Sequence, residues 1–367
     1  MTLDSQLLIF GVGEFARRVY LACKKTGVST VGFVATSPQC DYFEGRPVYD
    51  WEMLRAKGFP ADIQILCGIF NRNNPYDVLQ ELSASHGFGR LTMPWQYVGE
   101  LGDELGWCYW LSPVDACIAS GDRSGEIERI LRLFEDDESR SCFRRIFDFR
   151  SGADTAYASF VSKDPQYFNK FSLEALPGAD GITYVDVGAY DGDSLRELLA
   201  HARVAKAILF EPDSVNYKSL QSAVTELQCR HADLSVACLP IALGSSHSYA
   251  SFSGAGEAAC ISHVQQSAET TLVCVAPFDD LFPAERVDFI KVDAEGADLD
   301  VLFGMSKAIR RSRPVMAISL YHRSADIIEI PFEVSKMVEG LGYSFRLRQH
   351  MFNSFDSVLY CLPGNRV

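Results

Sequence analysis

The stretch Tyr184-Val185-Asp186-Val187-Gly188-Ala189-Tyr190-Asp191-Gly192-Asp193-Ser194 decides how the chain is read. The apolar run 182–187 predicts a buried parallel strand that breaks at glycine and reaches a leucine-rich helix near Ser194. A strand, a glycine turn and a helix in that order bring backbone N–H groups and a helix N-terminus close to a ligand. The next strand, Ala207-Ile208-Leu209-Phe210, runs into Glu211. Glu211 stands about 25 residues beyond Asp186, near the roughly 20 expected between a glycine turn and the acid that grips a ribose diol. A carboxylate there accepts two hydrogen bonds from a 2′,3′-diol and repels a 2′-phosphate.

The glycines after Val187 do not follow the dinucleotide fingerprint, because Gly188 is followed by Ala189-Tyr190-Asp191-Gly192-Asp193, with two carboxylates. A pyrophosphate would be poorly placed beside Asp186, Asp191 and Asp193, whereas a cationic ligand would be welcome. S-adenosylmethionine carries a sulfonium, an ammonium and a ribose but no phosphate, so charge favours a methyl donor over NAD here. The plainer alternative is that Asp193 or Ser194 caps the helix.

Composition narrows the field further. A chain of 367 residues predicts two domains, and 47% hydrophobic with 12% aromatic residues is ample for packed cores. A net charge of −14 argues against nucleic acid and against adhesion to an anionic membrane. No apolar run approaches the ~20 residues of a spanning helix, and the start Met1-Thr2-Leu3-Asp4-Ser5-Gln6 lacks the basic opening of a signal peptide. The 11 cysteines form no C-x-x-C pair and suit reduced, mostly buried thiols of a cytoplasmic protein.

The N-terminal segment, 1–105, reads as a smaller Rossmann-like α/β domain. Gln6-Leu7-Leu8-Ile9-Phe10 predicts a strand, Gly11-Val12-Gly13-Glu14-Phe15-Ala16 opens a helix over 17–25, and a second strand covers 30–34. This G-x-G-x-x-A is a permitted variant of the dinucleotide fingerprint, yet strand two ends in Ala35-Thr36-Ser37, with no acid for a ribose. The glycines either bind a nucleotide or nucleotide sugar, or only tighten the turn. Residues 45–49 read as a connection, 63–67 as a third strand, and 71–75 as a loop feeding a helix through His86. The segment loosely resembles small units at the front of some sugar acyltransferases.

Residues 106–164 form a predicted helical linker. Ile127, Ile130, Leu131 and Phe134 share one helical face, Glu135-Asp136-Asp137-Glu138 reads as a solvated acidic junction, and 141–149 as a further helix. Tyr167 and Phe168 stand at the entrance to the third segment, 165–367, where they either pack in the core or line a cleft.

In 165–367, strands and helices alternate. A third strand is expected over 236–243, with Ala242 placed to flank an adenine, and inserted strands over 249–253 and 271–275. Gly254-Ala255-Gly256-Glu257 between them reads as a mobile loop near a pocket. Val287-Asp288-Phe289-Ile290-Lys291-Val292-Asp293 reads as a strand followed by a helix through Ile309. Asp186, Glu211 and Asp293 would then sit together at the carboxyl ends of the strands, where open α/β sheets bind ligands. Strands over 315–320, 343–347 and 357–361 complete a seven-stranded, mostly parallel sheet with an antiparallel C-terminal strand, the methyltransferase variant of the doubly wound fold.

Tyr184 to Ser194, Phe210-Glu211-Pro212, Asp288-Phe289-Ile290-Lys291-Val292-Asp293-Ala294-Glu295-Gly296 and Ser319-Leu320-Tyr321-His322 together resemble the FkbM family of S-adenosylmethionine-dependent methyltransferases, across residues 165–362. Members commonly methylate hydroxyls of sugars or natural products. By this resemblance Asp186, Gly188, Asp191 and Glu211 contact the donor, joined by Gly192, Ser194, Pro212, Ala242 and Asp293 as further candidates. Asp293, Glu295 and His322 would surround a small-molecule, sugar or nucleotide-sugar acceptor. The sulfonium methyl is already activated, so the protein mainly aligns an in-line displacement. The acceptor hydroxyl loses its proton to His322 or Asp293 as base. Alternatively, Asp293, Glu295 and His322 hold a divalent metal ion that acidifies the acceptor. For Lys291, an internal ion pair competes with a catalytic role. An oxidoreductase working through the N-terminal glycines, a protein binding donor or nucleotide sugar without turnover, and a homo-oligomeric assembly all stay open.

Overall fold

The computed structural model describes residues 3–106, 108–111, 123–150, 153–178, 181–253, 260–262 and 271–364. The expected loop at 254–257 lies outside them. The strands fall into three sheets. The first has six strands in the order Tyr42–Phe43, Arg46–Tyr49, Ser29–Val34, Gln6–Phe10, Ile65–Cys67, Leu91–Thr92, all parallel except the first pair. The seven-stranded sheet has the order Tyr343–Gln349, Ser357–Pro363, Val315–Ser319, Phe289–Val292, Ile182–Val187, Val204–Phe210, Ser235–Leu239. Only Ser357–Pro363 runs against its neighbours. The expected α/β architecture, a methyltransferase-type sheet preceded by a smaller Rossmann-like one, is therefore what the chain adopts.

The chain enters the larger sheet at Ile182–Val187 and builds outward to Ser235–Leu239. It then crosses back to lay Phe289–Val292 on the other side of its starting strand. That reversal opens a crevice at the carboxyl ends of the two central strands. Both strands are buried on both faces, which explains their continuous apolar runs. One cluster of buried side chains runs from Leu8 and Trp51 in the first sheet through Trp110 and Phe149 to Ile318 and Leu347 in the second.

Several expected elements differ. Residues 45–49 are not a connection: Arg46–Tyr49 is a strand, paired with Tyr42–Phe43 through a two-residue turn at Glu44 and Gly45, both with positive φ (49° and 72°). The run 236–243 is two strands in different sheets, Ser235–Leu239 and Ala242–Leu243, because Pro240 offers no N–H to continue a ladder. Ala242–Leu243 joins Thr271–Ala276, Ser248–Ser253 and Cys260–Ser262 in a separate four-stranded sheet. The helix expected through Ile309 is two, Asp298–Gly304 and Ser306–Ser312.

The acidic junction at 135–138 is exposed at Glu135, Asp137 and Glu138, as expected, and it is also an anchor. Asp136 accepts from Ser139 N (2.7 Å) at the start of the helix Asp137–Arg150, and it binds Arg348 on the strand Tyr343–Gln349 (Nη2–Oδ2 3.0 Å). Arg348 also reaches Asp164 (2.9 Å) and Glu138 (3.1 Å), while Arg346 pairs with Glu135 (3.0 Å). This fork pins the helix and the entrance segment to the sheet's outer strand. Arg348→Ala leaves three partly exposed carboxylates without their cation and is expected to lower unfolding free energy by about 1–2 kcal/mol. Chemical denaturation measures this, with Arg348→Met as the control for the lost alkyl packing.

Candidate active site

The turn after Ile182–Val187 is built around a carbon that cannot exist. Gly188 has φ +79°, and a Cβ there would collide with the Asp293 carbonyl of the neighbouring strand end. With no side chain, Gly188 and Ala189 both donate to Phe210 O (3.0 Å each). The chain then turns through Tyr190 (φ +48°) and Gly192 (φ +83°) into the helix Asp193–Leu199. No side chain fills the N-cap role expected of Asp193 or Ser194 from position 192. Instead Asp191 Oδ1 accepts from Asp193 N (3.1 Å), and Asp193 Oδ1 accepts from Ser194 N (2.6 Å).

Glu211 follows Val204–Phe210 directly. Its Oε2 accepts from Tyr190 N (2.9 Å) and its Oε1 from Asp213 N (2.8 Å), so both oxygens are fixed while the carboxylate lines a cavity of about 390 Å³. Burial pushes its carboxyl up to about 7 against those two backbone bonds. Gly188, Ser194, Pro212, Asn216, Ala242 and Leu243 line the same end of the cavity.

At the other end Asp293 follows Phe289–Val292, clasped by two phenols. Tyr167 donates to Oδ2 (3.1 Å) and Tyr321 to Oδ1 (3.2 Å). Burial opposes ionisation of Asp293, but His322 and Lys291 outweigh it and hold the carboxyl below the usual range. Lys291 is buried, 3.0 Å from Asp186 Oδ1, and donates to Gly188 O (2.8 Å). Asp298 accepts from Ala294 N (2.8 Å) and Gly296 N (3.2 Å), which shapes the turn carrying Glu295 (φ +50°), and it also holds His322 Nδ1 at 2.8 Å. Glu295 lines the cavity, where burial pushes its carboxyl up to about 8. Its Oε2 lies 3.6 Å from His322 Nε2 and accepts no hydrogen bond among the described residues. Phe70, Asn71, Arg72 and Asn73 from the first sheet, with Tyr109, Phe355 and Asp356, close this end.

The cavity thus brings together Gly188, Ser194, Glu211, Pro212, Ala242, Asp293 and Glu295. Asp186, expected to contact a donor, does not line it: the carboxylate is fully buried behind Lys291. Asp191 and Gly192 shape the turn without lining the cavity. His322, expected as a base, lies outside the lining too, fully buried with Nδ1 at Asp298 and Nε2 3.1 Å from Asp293. Burial works against its imidazolium, but Asp298, Glu295 and Asp293 outweigh it and raise its pKa well above the usual value. Among the described residues no group of three or more His, Cys, Asp or Glu could hold an ion, so the expected site on Asp293, Glu295 and His322 does not fit. Gly11 (φ +122°) and Gly13 make a tight turn and do not line the cavity, which lies against the loop after Ile65–Cys67 instead. Sequence reasoning placed a loop at 71–75 but not its part in the cavity wall, and it missed Tyr109 and the segment 355–356. It also missed Asp298, although an acid just beyond the Ala294-Glu295-Gly296 turn is a turn-capping signal.

Nitrogen-15 spectra provide a check on the buried ring. Both His322 nitrogens are expected to be protonated at about pH 8, against an unperturbed pKa near 6.5. A neutral tautomer there would contradict the assignment.

No described helix is long and apolar enough to cross a membrane, and the described cysteines are free, with Cys23, Cys67, Cys108, Cys142 and Cys361 buried. No curated protein sequence matches the chain. A crystal structure of methyltransferase FkbM from Methylobacillus flagellatus KT superposes with a TM-score of 0.77 at 20% identity, covering 97% of this chain and 90% of that one. The shared fold therefore includes the first sheet as well as the second. An rRNA methylase from Streptococcus thermophilus matches far more loosely, with a TM-score of 0.35 at 13% identity over 53% of this chain and 93% of that one. Residues 186–345 match the model of the methyltransferase FkbM domain, the span that carries Gly188, Glu211, Asp293 and Glu295. Residues 186–345 therefore carry an FkbM methyltransferase domain, the kind that takes its methyl group from S-adenosylmethionine.

Proposed function

We propose that the protein transfers a methyl group to a hydroxyl of a sugar, a glycan precursor or a related small molecule. The observation that carries this reading is the division of one cavity between two carboxylate sites. Glu211 is fixed for a diol at one end, and Asp293 and Glu295 stand among tyrosines at the other. S-adenosylmethionine fits the first end, since a buried carboxylate fixed by two backbone N–H groups suits a ribose diol, and it supplies the electrophilic methyl group when bound. Gly188, Ser194, Glu211, Pro212 and Ala242 would hold it there.

The other end suits a polyhydroxylated ring. Tyr109, Tyr321, Phe355 and Phe70 offer aromatic surface, and carboxylates accept from hydroxyls. Asp293 stays ionised and orients the reacting hydroxyl. Glu295, which lines the cavity and whose carboxyl is lifted toward neutrality, receives the proton in place of His322, because a general base works best when its pKa lies near the working pH. His322 remains an imidazolium that steadies both carboxylates. The reduced thiols and the acidic charge suit a cytoplasmic enzyme with a small acceptor rather than nucleic acid.

Methyl transfer from labelled donor to a panel of free sugars, methyl glycosides and nucleotide sugars tests the reading. Transfer to none of them, with transfer to an amine or thiol instead, would overturn it. Glu211→Ala is expected to weaken binding of S-adenosylhomocysteine at least about tenfold, roughly 1.4 kcal/mol. Because the diol prefers the ionised carboxylate and the Glu211 carboxyl is pushed up to about 7, affinity in the unaltered protein should tighten as pH rises through that value. Glu211→Gln should flatten the profile in calorimetry. Glu295→Gln is expected to lower kcat about 100-fold or more and to remove a rising limb centred near pH 8, with donor affinity little changed. Full kcat in that variant would return the base role to Asp293.

A further inference from the structure

The loop between Ile65–Cys67 and the helix Tyr76–Ser85 belongs to the first sheet, yet residues 70–73 wall the cavity of the second. A side chain 277 residues from Tyr76 holds it there. Asn353 is fully buried, and its Nδ2 donates to Asn71 O and Asn74 O (2.7 Å each). Its Oδ1 accepts from Tyr76 N (3.2 Å), so both amide protons and the amide oxygen are engaged on one loop. Its backbone carbonyl accepts from Trp110 Nε1 (3.0 Å), and its backbone N–H donates to Ala158 O (3.3 Å). Within the loop, Asn71 Oδ1 accepts from Asn73 N (3.0 Å) and Asn74 N (3.1 Å), making it a compact cap. Asn353 sits at φ +59°, a conformation asparagine tolerates better than most residues.

What this latch joins is specific. Two and three residues beyond Asn353, Phe355 and Asp356 form part of the cavity wall. Phe355 meets Phe70 at 5.2 Å between ring centroids, and Asp356 lies 3.7 Å from Arg72. Both segments border the Asp293 and Glu295 end, through Tyr109 and Tyr321, whose rings are 6.1 Å apart. Glu211 follows Val204–Phe210, two strands along the sheet from Phe289–Val292, and Ala242 belongs to the separate four-stranded sheet.

We propose that Asn353 is a positioning residue that latches residues 70–73 over the acceptor end of the cavity, so that the first sheet serves acceptor recognition rather than a separate nucleotide site. This rests on the reading that the acceptor occupies the Asp293 and Glu295 end. Two full-length variants test it. Asn353→Gly keeps the left-handed backbone and deletes the amide. Asn353→Asp keeps the shape and Oδ1 but turns both donated bonds into oxygen–oxygen repulsions.

Calorimetry with S-adenosylhomocysteine and steady-state transfer to whichever panel sugar the unaltered protein methylates are the two readouts. Both variants are expected to bind S-adenosylhomocysteine within about twofold of the unaltered protein, which also shows that they fold. The acceptor KM is expected to rise about tenfold or more in Asn353→Gly and at least as much in Asn353→Asp, with kcat within about threefold. An unmoved KM, an Asp variant that behaves like the unaltered protein, or a donor-product Kd that weakens in step with KM would overturn the latch. Failure of the unaltered protein to methylate any panel member would instead overturn the acceptor reading beneath it.

Discussion

The cavity depends on one ammonium placed inside a sheet. Lys291 is almost fully buried, and its register partner across the parallel ladder is Asp186. Paired residues in a parallel ladder send their side chains to the same face, so the pairing presents the carboxylate to the lysine directly. A lone buried ammonium is far too costly to persist, and this one is satisfied by Asp186 Oδ1 at 3.0 Å and the Gly188 carbonyl at 2.8 Å. The second bond is the consequential one, because it ties the glycine turn of one strand to the interior of its neighbour. Burial works against the charge on Lys291, but Asp186 and then Asp293 outweigh it and raise its pKa. Removing either member would strand a buried charge at about 3–5 kcal/mol, so the crevice and the ion pair stand or fall together.

A second chain of charges runs from this centre. Asp298 shapes the turn after Asp293 and holds His322, and His322 and Lys291 keep Asp293 ionised under its two phenols. Glu211 accepts from two backbone N–H groups, and Glu295 lies 3.6 Å from the His322 ring; burial outweighs both and lifts each toward neutrality. Carboxylates sharing one cavity are thus driven apart in acidity by their surroundings. This separation lets one act as a fixed anion while another exchanges protons.

Much of this was legible in the residue pattern, and the failures have physical causes. The glycine turn, the acid at 211 and the parallel strands follow from period and spacing, and the family resemblance named the right span. Asp186, Glu211 and Asp293 looked equivalent, all acids near strand ends. They differ by position along the pleat: Glu211 and Asp293 come just after the last strand residue and reach the crevice, whereas Asp186 lies one residue inside the strand and faces Lys291. A strand buried on both faces carries no polar alternation to reveal that difference. The Glu44 turn was missed because glutamate seldom takes a positive φ. The wall formed by 70–73 and 355–356 had no local signal, since its contacts join residues separated by up to 282 positions.

The backbone around the cavity shows why those wall positions are not glycine. Tyr109, Tyr167, Tyr190, Glu295 and Asp356 all have positive φ, between 48° and 59°, and all line it. Such a conformation costs about 1–3 kcal/mol for a residue with a side chain and persists only where neighbours over-determine it. The neighbours are visible: Tyr190 N is bound by Glu211, Tyr167 N by the Tyr360 hydroxyl (3.2 Å), and the turn bearing Glu295 by Asp298. Glycine would relieve the strain at each position but would remove the ring or carboxylate that forms the wall. At Gly188 the balance is reversed, because there the opposing carbonyl leaves no space for a side chain. The same backbone region is therefore filled in two ways, by glycine where two strands touch and by tyrosine or an acid where the side chain must reach the cavity. That division separates the positions that build the crevice from those that meet its contents.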